Sequence, residues 1–91
     1  MSVHKHVVAD GTASGIAIAG NVKIIGAQSL GTEKNFRVYS GTAATEANMI
    51  IQVGADMGHR SEMFPAGREQ PANGVYVAVD NAHGGIIWYM D

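Results

Sequence analysis

The sequence predicts an all-β fold: a single-domain antiparallel β-sandwich, jelly-roll-like, with about seven to eight short strands and a C-terminal hairpin. Three observations predict it. Apolar residues recur at a period of two along most of the chain, as on strands with one buried face. Turn clusters rich in Gly, Asn and Asp separate these runs at intervals of about 8–12 residues, as in sandwiches. No run of about ten residues has the 3.6-residue period of an amphipathic helix.

The N-terminal segment, residues 1–9, has two interpretations. It is either an extended arm that pairs with a neighbouring subunit or the first strand of its own sheet, and residues 10–91 then form the sandwich domain. The run SVHKHVVAD has the period of a strand, and the turn cluster ADGTASG follows it at positions 9–15. We predict that this segment makes contacts with another subunit or with another protein of a larger assembly through Val3, His4, Lys5, His6, Val7 and Val8.

The middle of the chain predicts four further strands. Ile16–Ala19 and Val22–Ala27 have alternating patterns and are separated by Gly20-Asn21, which we interpret as a turn. FRVY (36–39) and MIIQV (49–53) are compact strands, and a single helical turn is predicted to begin near Thr45. The stretch MFPAGREQPANG (63–74) holds both prolines, so it is not predicted to be a central strand.

The last 18 residues, GVYVAVDNAHGGIIWYMD, predict the closing hairpin, with residues 80–85 as its connection. The alternation assigns one face of this hairpin to the core and the other to a second subunit. The predicted core residues are Val75, Val77, Val79, Ile86 and Trp88. The predicted intersubunit residues are Tyr76, Ile87 and Tyr89.

Composition limits the classes of function. The net charge of −2 without a basic stripe argues against nucleic acid as a partner. No apolar run reaches the roughly 20 residues of a membrane span, and His4, Lys5 and His6 stand where a signal peptide needs apolar residues. Charged residues make up 15% of the chain against a usual value of about 25%, which favours burial of surface in a homo-oligomer or larger assembly.

The histidines and glycine-rich turns do not complete a reactive site. His4 and His6 have the spacing of two metal ligands on one strand face, but His59 and His83 lie in loops of unknown position. GTASG (11–15) lacks the strand–turn–helix context of a nucleophile elbow, and GTEKN (31–35) lacks the second Gly and the Lys-Ser/Thr of a phosphate-binding loop. We expect no metal and no cofactor.

Carboxylates and aromatic residues offer two further alternatives. Glu62, Glu69 and Asp56 lie in predicted loops with Arg60 and Arg68, which indicates solvated charges rather than the paired acids of a glycosidase. We therefore predict that the protein is not an enzyme. Three aromatic side chains could instead stack on a sugar, which leaves a small carbohydrate-binding module as an alternative; they are Tyr76, Trp88 and Tyr89.

The order of short motifs resembles a group of small tailed-phage virion proteins. The motifs, which span residues 14–91, are SGIAIAG, VKIIGAQ, VYSGTAAT, MIIQV, MFPAG, NGVYVAV and IIWYMD. The resemblance implies a non-enzymatic virion component, assembled in the host cytoplasm, that acts as a capsid decoration (cement) protein. Its implied partners are other copies of itself, with a trimer expected, and the major capsid protein. A tail, head–tail adaptor or fibre-base component is the alternative virion role.

Overall fold

The computed structural model describes residues 3–8, 14–30, 35–54, 58–79 and 84–91. These residues form seven strands, all of them antiparallel to their neighbours, and one single-turn 3-10 helix at Glu46–Asn48. The strands are β1 (Val3–Val8), β2 (Gly15–Ser29), β3 (Asn35–Ser40), β4 (Met49–Gly54), β5 (Ser61–Met63), β6 (Gln70–Val79) and β7 (Gly85–Met90). The predicted all-β, single-domain class is confirmed.

The strands form one sheet in the order β1-β7-β2-β6-β3-β4, with β5 paired to β2 beside β6. The sheet curls over on itself. The evidence is that β2 and β4 contact each other, although two strands separate them in this order. The N–H of Gly54 at the end of β4 donates to the carbonyl of His59 at 2.7 Å, close to the start of β5. The curled sheet therefore encloses a single core.

The core consists of the inward-facing residues of almost every strand. Phe36 and Val38 of β3 and Val53 of β4 have no exposed surface, as the alternation of FRVY and MIIQV predicts. Val75 and Val77 of β6 are equally enclosed. The remaining members of the cluster are Val8, Ile18, Val22, Ile24, Ala27, Ile51, Ala72, Val79 and Ile87.

The prediction of two strands within residues 16–27 is wrong, since β2 is one strand of 15 residues. The predicted turn at Gly20-Asn21 is a bend inside it. Gly20 has a φ of +91°, and the register against β6 shifts between Ile16 and Ile18 and again between Ile18 and Asn21. Such bulges bend a strand without ending it, which allows β2 to follow the curl of the sheet.

The prediction that MFPAGREQPANG (63–74) does not belong to a central strand is also wrong for the second half of this segment. β6 begins at Gln70 and includes Pro71, which lies opposite Lys23 of β2. β3 pairs with β6 only from Val75 onwards, so none of the described strands lies on the other side of Pro71. Because Pro71 has no N–H to contribute on that side, the position suits a proline.

The predicted C-terminal hairpin is not formed. β6 pairs with β2 and β3, whereas β7 pairs with β1 and β2, so β2 lies between the two strands. The length of β2 explains this arrangement: its residues 15–24 pair with β6, and its residues 23–29 pair with β7 on the opposite edge. Two consecutive alternating runs therefore pair with one long strand instead of with each other.

The two faces of β7 are the reverse of the prediction. Ile87 has no exposed surface and belongs to the core, whereas Ile86 and Trp88 are partly exposed on the other face. The register sets this orientation, because Ile87 lies opposite the buried Ala27 of β2. Gly85 also faces inward, where a Cβ would come within 2.7 Å of the Phe36 ring. Ile87 therefore cannot contact another subunit.

Candidate interaction surface

An apolar surface lies on the outward side of β1, β7, β2 and β5, and we call it the outer face. Its β1 side chains are Val3, 66% exposed, and Val7, 46% exposed, with Lys5 between them. The neighbouring strand β7 contributes three partly exposed side chains, Ile86, Trp88 and Met90. Since directly opposed residues of paired strands share a face, the register places Val3 beside Met90, Lys5 beside Trp88, and Val7 beside Ile86.

The centre of the outer face is a row that crosses four strands. It runs from Lys5 of β1 through Trp88 of β7 and Gly26 of β2 to Met63 of β5. Met63 is 52% exposed, and its sulfur lies where a side chain on Gly26 would stand. The absence of a side chain at Gly26 therefore allows Met63 to lie across β2 beside Trp88.

A small pocket of about 240 Å³ adjoins the outer face where Met90 ends β7. Ile25, Phe64, Ala66, Glu69 and Met90 line it. Ile25 is the extra residue of a bulge in β2, between the pairs that Ile24 and Gly26 make with β7, and its carbonyl accepts the N–H of Phe64 at 2.7 Å. The walls of the pocket are thus mostly apolar.

Among the described residues that line this pocket, Glu69 alone is charged. Its Oε2 atom is buried and has no hydrogen-bond partner among the residues that the structure describes. A carboxylate oxygen accepts hydrogen bonds and is costly to remove from water without a donor. The pocket therefore combines apolar walls with an unsatisfied acceptor, and it can accommodate a cationic group on an apolar stem.

The inward side of β1 packs on its own subunit. His4 stacks on Tyr89 with ring centroids 5.1 Å apart, and its Nε2 lies 3.2 Å from Oδ2 of Asp91. His6 is half-buried, and Val8 is only 5% exposed. Residues 3–8 thus form a first strand paired with β7 in the structure, and the remaining residues of the segment 1–9 lie outside the described ranges.

The predicted interface residues fall into three groups. Val3, Lys5 and Val7 are exposed on the outer face, whereas His4, His6, Val8, Ile87 and Tyr89 face inward. Tyr76 lies elsewhere, in a row with the exposed Ile16 of β2 and with Tyr39, whose ring it meets edge-on at 6.3 Å. Four residues of the outer face are not among the predicted interface residues; they are Met63, Ile86, Trp88 and Met90.

The three aromatic residues proposed as a sugar-stacking platform do not lie together. Trp88 and Tyr89 are consecutive on β7 and point to opposite faces of the sheet. Tyr76 lies on β6, on the far side of β2 from β7. Because a platform needs its rings on one surface, the structure does not support a carbohydrate site built from these three residues.

A second, more polar cavity of about 440 Å³ lies at the end of β7, where β2 and β6 continue beyond it. Asn21, Lys23, Asn73 and Asp91 are among its lining residues. The N–H of Asn73 donates to the Ser40 hydroxyl at 3.1 Å, and this hydrogen bond links β3 to β6. The polar groups among the described lining residues are the Lys23 ammonium, the Asp91 carboxylate, two asparagine amides and the Ser40 hydroxyl, which already accepts the Asn73 N–H.

Within the described ranges, no three His, Asp or Glu side chains are close enough to share a metal ion. His59 makes the bridge to Gly54, and His83 lies outside the described residues. Ser14 has a structural partner, because its hydroxyl accepts the N–H of Val79 at 2.9 Å. Glu62 is exposed on β5, and Asp56 and residues 31–34 of GTEKN are also outside the described part of the chain.

Comparisons of the chain with protein family models, with curated proteins and with solved structures gave no match. No helix among the described residues is long and apolar enough to cross a membrane.

Proposed function

We propose that the protein is a non-enzymatic structural protein of a tailed-phage virion, and that it decorates the capsid as a homo-oligomer. The observation that supports this most strongly is the apolar outer face, where Val3, Val7 and Met63 are about half exposed or more beside Trp88. Contiguous apolar surface of this kind, bordered by polar residues, is typical of a protein–protein contact. The order of sequence motifs supplies the assignment to a virion.

The estimated free energies of burial and of association favour a role in which many copies bind together. Complete burial of a Val or Met side chain is worth about 1.5–3 kcal/mol, so covering the half-exposed residues of the outer face contributes about 1 kcal/mol each. Association itself costs an estimated 4–15 kcal/mol or more in lost freedom of motion. A single contact through this face is therefore weak, whereas an oligomer that binds a lattice through several copies gains affinity through avidity.

The position of β1 supports self-association. β1 is at one end of the sheet, so its outward edge has no partner strand among the described residues. An unpaired edge is a site where another chain can add, and closed symmetry in an oligomer covers such edges. We propose a trimer, because the three-fold positions of a capsid are natural docking sites for one.

Electron microscopy of labelled protein on virus particles tests this function. Particles of the phage that carries the reading frame are prepared with that frame deleted, and gold-labelled protein is then added back. Label over the whole head supports a decoration protein, whereas label at one vertex supports the head–tail adaptor, tail or fibre-base alternative. No binding to any part of the particle refutes a virion role. A Thr42→Ser variant, altered at an exposed position away from the outer face, is the matched control.

A further inference from the structure

We propose that the Glu69 pocket receives the Lys5 side chain of a second copy of the chain, and that this contact fixes how the copies associate. The inference rests on the self-association that the proposed function requires. It adds the two residues that pair and the site that holds them.

The first argument comes from the pocket. Glu69 Oε2 is buried without a hydrogen-bond donor among the described residues, and Ile25, Phe64 and Met90 form apolar walls around the cavity. The volume of about 240 Å³ is below the range of about 300–1,000 Å³ that is typical of small-molecule pockets, but it can admit a single long side chain. A lysine fits this chemistry, because its apolar stem lies against such walls while its ammonium group donates to the carboxylate.

The second argument comes from Lys5. It is exposed in the middle of the outer face, between Val3 and Val7 on its own strand and opposite Trp88 on β7. When that face is covered by a partner, the ammonium group of Lys5 loses its water. A charge buried in this way is costly unless it meets an opposite charge. Lys5 therefore needs a carboxylate on whatever covers the outer face.

The two requirements are met by one contact between copies. Among the described residues Lys5 has no carboxylate partner and Glu69 Oε2 has no donor, and both side chains lie on or beside the same apolar surface. Within one subunit, β7 and β2 lie between β1, which carries Lys5, and the start of β6, which follows Glu69; these three strand spacings amount to about 14 Å across the sheet before the offset along the strands is added. Trp88 also stands next to Lys5 on that path. A second copy brings the two groups together while it covers the apolar side chains of both subunits.

A charge exchange tests the pair. Sedimentation equilibrium is measured for the wild type, Lys5→Glu, Glu69→Lys and the double variant that carries both changes. We expect each single change to weaken association at least about tenfold, because it places like charges in a covered contact. The double variant restores association to within about threefold of the wild type, since the pair is re-formed with its signs exchanged. Glu46→Lys, the same charge change as Glu69→Lys at an exposed position of the 3-10 helix and on none of the outer-face strands, is the matched control and leaves association within about threefold.

The outcomes separate the possible failures. A wild type that stays monomeric at every concentration refutes both this pairing and the proposed self-association. A wild type that associates, with single variants that associate equally well, refutes the pairing alone. If Glu69→Lys abolishes binding to phage heads while both single variants keep the wild-type oligomer, the pocket holds a basic side chain of another virion protein, and the second-copy assignment is overturned. Circular dichroism confirms that each variant is folded.

Zero-length cross-linking gives a second test on the unchanged sequence. A carbodiimide joins a lysine amine to a carboxylate that it contacts, with loss of water. Equal amounts of ¹⁴N- and ¹⁵N-labelled protein are mixed, cross-linked and digested. We expect a linked pair of peptides that contains Lys5 and Glu69 and carries mixed isotopes, which shows that the link joins two chains. A Lys5–Glu69 link with unmixed isotopes only, or no such link in protein that is oligomeric, contradicts the proposal.

Discussion

The orientation of β7 makes opposite predictions for two adjacent isoleucines. Ile87 has no exposed surface, so Ile87→Ala removes about three buried carbons, worth about 0.8 kcal/mol each, and leaves a cavity in a close-packed core. The expected loss is about 3–4 kcal/mol, from a total stability of about 5–14 kcal/mol for a chain of this length. Ile86 is only partly covered on the outer face, so Ile86→Ala is expected to cost about 1 kcal/mol.

Urea unfolding followed by far-ultraviolet circular dichroism compares the two variants at one protein concentration, because association also contributes to stability. Ile87→Ala should have the much lower midpoint, and Ile86→Ala should keep most of its stability but associate more weakly in sedimentation. The reasoning is refuted if Ile86→Ala is the more destabilised variant, since that result would place Ile86 in the core and Ile87 on the surface.

Two further predictions test the fold and the role of β1. Gly85→Ala places a methyl group within 2.7 Å of the buried Phe36 ring, so we expect a net loss of about 1–2 kcal/mol after the usual gain from replacing Gly. In a double-mutant cycle with Phe36→Leu the two losses should be less than additive, and full additivity would show that the two residues do not meet. Deletion of residues 1–9 removes β1 and the buried Val8, so the unfolding midpoint should fall while the circular dichroism spectrum keeps its β form. The shortened chain should neither associate nor bind phage heads; wild-type association would contradict the role assigned to β1.

The sequence predicts the class of fold well because the alternation of apolar residues is clear on several strands. On β3 and β4 the inward positions Phe36, Val38, Ile51 and Val53 are apolar and fully or almost fully buried, and the residues between Phe36 and Val38 and between Ile51 and Val53 are polar. The same holds for much of β6, where valines alternate with Tyr76 and Ala78. Where one face is strictly apolar, the pattern has a single solution.

The two faces of β7 could not be assigned in this way. In the run GGIIWYM both sets of alternate positions are large and apolar, so the pattern is consistent with either orientation. The choice depends on distant residues, because Phe36 occupies the space beside Gly85 and Ala27 stands opposite Ile87. The same ambiguity hides the outer face, because the alternation alone allows Ile86 and Trp88 to be placed in the core.

Local sequence patterns also do not predict which strands pair with each other. Two alternating runs joined by a short polar stretch usually form a hairpin, and only the length of β2 allows it to lie between β6 and β7. That length was itself hidden, because Gly20-Asn21 has the composition of a turn although it forms a bend inside a strand. The Glu69 pocket depends on the resulting arrangement, since it brings Ile25, Phe64 and Met90 together from three parts of the chain.

The fluorescence of Trp88, the only tryptophan in the chain, tests most directly whether the outer face is covered by other copies. Quenching by acrylamide is measured as the protein is diluted from the millimolar to the micromolar range. The account predicts weak quenching at high concentration, where neighbouring copies cover Trp88, and stronger quenching as dilution separates them. Strong quenching that stays the same over the whole range would contradict it, because Trp88 would then be open to solvent at concentrations where the outer face should be covered.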